Sequence, residues 1–137
     1  MKRFMHIALA GMLVLLAGSA LAKEDSPLTV AGATTVDTAK ARALFDQGVA
    51  FVDARKDSDW EAGRIPGAIH LDVKKALTEE ALAAEVKKDE PVVFYCNGKK
   101  CHRSSKASAM AVGWGWKKVY YYRDGFPAWK AAGNPVE

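Results

Sequence analysis

The sequence is poor in cysteine, in net charge and in long apolar runs, and each shortage excludes something. Its two cysteines, Cys96 and Cys101, supply too few ligands for a metal site even with His102 beside them. Basic residues number 20 and acidic 16, and Lys2 and Arg3 belong to the opening segment, so the rest carries an excess of only +2. So small a surplus gives no support for nucleic-acid binding. The apolar stretch from Ile7 to Ala17 falls short of the roughly 20 residues that span a bilayer, and Gly18 and Ser19 interrupt it. There is no internal repeat and no low-complexity tract.

The opening segment instead reads as a secretory signal. Lys2 and Arg3 make the positive start, Ile7 to Ala17 the apolar stretch, and Ala20-Leu21-Ala22 the small-x-small cleavage pattern. Cleavage is expected after Ala22, delivering an exported, periplasmic chain with no membrane attachment. The 115 residues from Lys23 to Glu137 suit one domain with a modest core. Residues 23–34 are polar, with little to bury, and read as a flexible arm ahead of a domain over 35–137.

Within the domain, Asp37 caps a helix through Thr38 to Phe45 that Gly48 ends. The short apolar run Val49 to Asp53 suits a strand buried on both faces. A polar loop carrying Arg55, Asp57 and Asp59 leads through Ile65-Pro66-Gly67 to a strand at Ala68 to Leu71. Thr78 caps a helix through Leu82 to Val86. Val92 to Tyr95 is the clearest buried strand and stops at Cys96. A small-residue helix through Ser105 to Val112, a strand Val119 to Tyr122 and a helix Phe126 to Ala132 complete the pattern. Alternating strands and helices predict an α/β fold with a parallel sheet, helices on both faces and right-handed crossovers. In such sheets ligands bind beyond the carboxyl ends of the strands, where Cys96 falls.

A cysteine between a strand and a helix start faces backbone N–H groups and a positive helix end, which favour its thiolate. A free thiol with a pKa of about 8.5 is only a few per cent ionised near neutral pH, so the gain in nucleophile is substantial. Lys99, Lys100, His102, Arg103 and Lys106 add positive charge, which draws in anions.

This loop resembles the active loop of the rhodanese-like domain, and two flanking segments agree. Val52-Asp53-Ala54-Arg55 followed by Trp60-Glu61-Ala62-Gly63-Arg64-Ile65-Pro66-Gly67-Ala68-Ile69 resembles the family's first signature, with Arg64 where histidine is commoner. Tyr122-Arg123-Asp124-Gly125-Phe126-Pro127-Ala128-Trp129 and Gly133-Asn134-Pro135-Val136 resemble its closing signature. The likeness covers about residues 35 to 136 and implies a five-stranded, mainly parallel rhodanese-like sheet.

The resemblance also implies a single-domain sulfurtransferase in which Cys96 takes sulfane sulfur from a small anionic donor such as thiosulfate. The sulfur is held as a persulfide and passed to a thiophilic acceptor, with no cofactor and no metal. The active loop is Asn97, Gly98, Lys99, Lys100, Cys101, His102, Arg103 and Ser104. Six residues separate Cys96 from Arg103 where the family's usual loop has four. Related phosphatases have a loop one residue longer than the sulfurtransferases, so phosphatase-like anion hydrolysis is one alternative activity. A thiol/disulfide redox or partner-binding module using Cys96 and Cys101 is another.

Cys101 has three readings. It is a resolving thiol that forms a disulfide with Cys96, reopened by a thiol reductant or acceptor protein; a structural bridge; or else a bystander or part of the substrate wall. Stapling so short a loop is worth only about 2 kcal/mol on chain-entropy grounds. Asp53 is expected to order the turn after its strand; the resemblance puts Arg55 near the active loop, to hold the loop or a substrate anion, with loop-holding favoured over a surface ion pair. Trp60, Trp129 and Tyr120 read as packing residues, and Trp114 and Trp116 as a helix end covering the sheet.

Overall fold

The computed structural model describes residues 24–137. The predicted signal peptide, residues 1–22, lies outside the described residues. The elements in order are β1 (Ala33–Thr35), α1 (Thr38–Asp46), β2 (Ala50–Asp53), α2 (Asp57–Ala62), β3 (Ile69–His70), α3 (Glu79–Ala83), β4 (Val92–Tyr95), α4 (Arg103–Trp114), β5 (Val119–Tyr122) and α5 (Gly125–Ala131). The strands form one five-stranded sheet in the order β1-β5-β4-β2-β3, and every pairing is parallel.

β4 is central, and all four of its residues are buried. Side chains alternate across a strand, so Val92 and Phe94 join the cluster beneath α3 and α4, with Leu82, Ala107 and Ala111. Val93 and Tyr95 join the opposite cluster, with Ala41 and Leu44 of α1 and Trp129 of α5. Helices therefore cover both faces, as the alternating pattern predicts. The small buried residues Ser104, Ala107, Ser108 and Ala111 line one side of α4 and let it lie close to the sheet.

Four local readings are revised. Part of the expected polar loop is helical, with Asp57 and Asp59 in the first turn of α2, where negative charge complements the helix dipole. Thr78 does cap, its hydroxyl accepting from the Ala81 amide at 3.1 Å, but α3 ends at Ala83, short of Val86. The helix expected from Ser105 starts at Arg103. Residues 24–34 are not a loose arm, and their last two belong to the sheet. Ala33 and Thr34 are in β1, paired with Val119 and Tyr120 of β5. Ser26 is buried, and its amide and hydroxyl donate to the Lys99 carbonyl at 2.6 and 2.8 Å. The Tyr121 hydroxyl donates to the Pro27 carbonyl at 2.9 Å, and Arg123 Nη2 to the Ser26 carbonyl at 2.9 Å.

Trp129 is fully buried, edge-on to Phe45 at 5.3 Å, and its indole N–H donates to the Pro135 carbonyl at 2.6 Å. Its packing role is as expected. Trp129→Ala leaves a large cavity and an unpaired carbonyl, and should cost about 3–5 kcal/mol of unfolding free energy in urea denaturation.

Candidate active site

The carboxyl end of β4 delivers Cys96, which is 1% exposed. Its main chain is clamped from the other side by the turn leading into α5. The Phe126 amide donates to the Cys96 carbonyl at 2.8 Å. Gly125 has φ +67°, and a Cβ there would run into the Cys96 carbonyl oxygen and lie 2.8 Å from the Gly98 nitrogen. Glycine is needed at 125 both for its backbone angle and for this close approach.

Cys96 and Cys101 form a disulfide with Cα atoms 6.2 Å apart. The loop within it turns tightly, the Cys101 amide donating to the Gly98 carbonyl at 2.9 Å. Cys101 is therefore no bystander.

Beneath the loop lies a buried polar network. Arg55, 2% exposed, donates from Nε to both oxygens of Asp53 at 2.9 and 3.1 Å, and from Nη2 to Oδ2 at 2.6 Å. Its Nη2 also reaches the Gly63 carbonyl at 2.7 Å, and its Nη1 reaches Asn97 Oδ1 at 3.1 Å. Asn97 in turn donates from Nδ2 to Asp59 at 2.9 Å. Asp53 Oδ1 accepts the Arg55 amide at 3.0 Å, which is the expected turn-ordering bond. The Tyr95 hydroxyl donates to Asp53 Oδ2 at 2.9 Å and accepts from the Ile65 amide at 3.2 Å. The guanidinium lies over the Phe126 ring at 4.8 Å.

Burial works against the Arg55 charge, but the hydrogen bonds and charge of Asp53 outweigh it and hold Arg55 more firmly protonated than usual. Burial, then the Asp53 charge, push the Tyr95 hydroxyl far above its ordinary range, so it stays a donor. Arg55 thus holds the active loop through Asn97, and it is not a surface pair.

Three of the cationic residues around the loop are engaged with partners elsewhere. Lys100 pairs with Asp25. His102 Nε2 donates to the Glu24 carbonyl at 2.8 Å. Arg103 Nη1 pairs with Asp72 at 2.7 Å, fixing the start of α4 to the chain beyond β3. Ser104 is buried, and its hydroxyl has no hydrogen-bond partner among the described residues. A cleft of about 300 Å³ opens beside the loop, lined by Val73, Lys74, Cys101, His102, Arg103 and Lys106. Sequence reading missed Asp72, Lys74, Tyr95, Gly125 and Ser26 as parts of this site. Asp72 carried a signal, since it follows β3 at the carboxyl edge of the sheet, and Gly125 lies within the closing signature.

The family model for the rhodanese-like domain matches residues 35–132. The chain belongs to the rhodanese-like domain family. This rhodanese-like domain is 35% identical over 91 residues to the thiosulfate sulfurtransferase GlpE of Pseudomonas fluorescens, covering 66% of the chain and 78% of the relative. It is 34% identical over 89 residues to the HTH-type transcriptional regulator Rv0324 of Mycobacterium tuberculosis, covering 65% of the chain but only 38% of that longer protein. Among solved structures it resembles the human single-domain sulfurtransferase TSTD1, with a TM-score of 0.61 and 25% identity over 72% of this chain and 96% of that one. The family is thus one with sulfurtransferase members.

Two outcomes follow for the rhodanese-like domain. Asp53→Asn leaves the Arg55 guanidinium buried without its counter-charge, and should cost about 3–5 kcal/mol in urea denaturation. Adding Arg55→Met should recover part of that loss, because no unpaired charge then remains. The second concerns pH. Burial raises the Asp72 carboxyl, but the Lys74 amide bond and then Arg103 outweigh it, so its pKa lies below the ordinary 3.8. A depressed folded-state pKa gives stability that is present above the unfolded value and lost as pH falls through the folded one. The stability difference between wild type and Asp72→Asn should be constant above about pH 5 and shrink below about pH 3.8, as measured by denaturation at each pH.

Proposed function

We propose that this protein is an exported sulfurtransferase-type carrier in which Cys96, once reduced, takes sulfane sulfur from a small anionic donor such as thiosulfate. The observation that carries the reading is the placement of Cys96. It sits at the carboxyl end of the central strand, its carbonyl held by Phe126, its neighbour Asn97 held by Arg55, at the head of the loop into α4. The sulfurtransferases GlpE and TSTD1 among its relatives support the same chemistry. In the loading step the Cys96 thiolate attacks the outer sulfur of thiosulfate. The sulfur–sulfur bond of the donor breaks, and sulfite leaves with the electron pair. In the transfer step an acceptor thiolate attacks the outer persulfide sulfur, and Cys96 departs as thiolate.

Cys101 acts as the resolving thiol when no acceptor is present. It attacks Cys96 Sγ in the persulfide, forms the disulfide and releases hydrosulfide. The signal-like pattern of residues 1–22 supports export to an oxidising compartment, where such a bond persists until a thiol reopens it.

Reduced, folded wild type, Cys96→Ser and Cys101→Ser, each treated with thiosulfate, separate the roles by intact and peptide mass. Cys101→Ser should keep one added sulfur on Cys96, Cys96→Ser should take none, and wild type should lose its sulfur as the disulfide forms. Absence of any adduct on reduced Cys101→Ser would overturn the proposal.

A further inference from the structure

The two sulfurs of the disulfide have unequal surroundings. Cys96 is 1% exposed, whereas Cys101 is half-buried and forms part of the wall of the 300 Å³ cleft. The charge of that cleft is also one-sided. No carboxylate lines it, and Arg103 is committed to Asp72. Lys74 and Lys106 are exposed, and their ammonium groups have no hydrogen-bond or ion-pair partner among the described residues. A disulfide is cleaved by a thiolate approaching behind the sulfur it attacks, so the direction of access chooses which cysteine is released. Attack on Cys96 needs room that a closely packed residue does not offer.

We propose that the cleft beside Cys101 is a binding site for a small thiol bearing a carboxylate or sulfonate, which opens the disulfide by attacking Cys101. The anionic group sits between Lys74 and Lys106, and its thiolate faces the wall formed by Cys101. The bond between the two cysteines breaks as a bond forms between the incoming sulfur and Cys101 Sγ, and Cys96 leaves as thiolate. A second thiolate then attacks the incoming sulfur of the mixed disulfide and releases Cys101, which takes up a proton. Overall, two thiols are oxidised to their disulfide as the protein disulfide is reduced to two cysteines. The reducing step therefore delivers the buried Cys96 as thiolate while the half-buried Cys101 carries the adduct. The benefit to sulfur transfer rests on the reading of Cys96 as carrier, but the opening itself does not, and its test contains no sulfane donor.

The experiment mixes oxidised protein with limiting 2-mercaptoethanesulfonate, quenches in acid to stop exchange, and maps adducts by peptide mass. The adduct should be on Cys101 with Cys96 free, and an adduct mainly on Cys96 would overturn the proposal. In parallel, second-order rates are measured with 2-mercaptoethanesulfonate, neutral 2-mercaptoethanol and cationic cysteamine, each expressed per thiolate and relative to its rate on hydroxyethyl disulfide. At low salt the sulfonate should lead the neutral thiol by about tenfold and cysteamine should be slowest. High salt, or the pair of changes Lys74→Gln and Lys106→Gln, should remove that lead. Equal relative rates for the three thiols in wild type at low salt would sink the charged-site assignment.

Discussion

The paired charges of Asp53 and Arg55 organise the working edge of this sheet. Both side chains are almost fully buried, so each would be costly alone. Together they join the end of β2 and the Gly63 carbonyl beyond α2 to the Tyr95 hydroxyl at the end of β4 and to Asn97 two residues on. Replacing such a pair by apolar groups can be neutral for stability. Its value here is positional, since apolar side chains cannot fix the main chain on either side of Cys96 in direction as well as distance.

That frame explains how a loop with six residues between Cys96 and Arg103 stays ordered. It is held at its start by Asn97, at its middle by the docked segment bonding Lys99, and at its end by Arg103 on Asp72. The disulfide ties Cys96 to Cys101, five positions on. Positive charge that the sequence scatters along the loop is thereby divided. Part holds structure, and the remainder faces the cleft.

Much of the fold was legible because its signals are local. Val92 to Tyr95 is an unbroken apolar strand, Asp37 and Thr78 cap as their side chains predict, and the helices begin within a few residues of where capping chemistry puts them. β1 was not legible residue by residue: Ala33–Thr35 is short and half exposed, and what makes it a strand is the edge offered by β5. The docking of residues 24–28 was hidden for a related reason. Its bonds run largely through carbonyls of Glu24, Ser26, Pro27 and Lys99, which carry no side-chain signature. In the candidate site, the position of Cys96 after β4 and the bond of Arg55 to the loop that follows were readable from motif and position. The partner of Arg103 was not, because Asp72 lies 31 positions away and only the crossover brings it near.

The two ties on the active loop differ greatly in chain distance. Cys96 and Cys101 are five positions apart, whereas Ser26 reaches Lys99 across 73 positions and Arg123 across 97. Closing a short span costs little chain entropy, and contacts between remote segments form late when a sheet must be assembled first. The loop thus acquires its covalent closure as a local event and its final setting as a remote one. An alteration around residues 24–28 therefore acts on the long-range ties that set the loop, outside the short span that the disulfide closes.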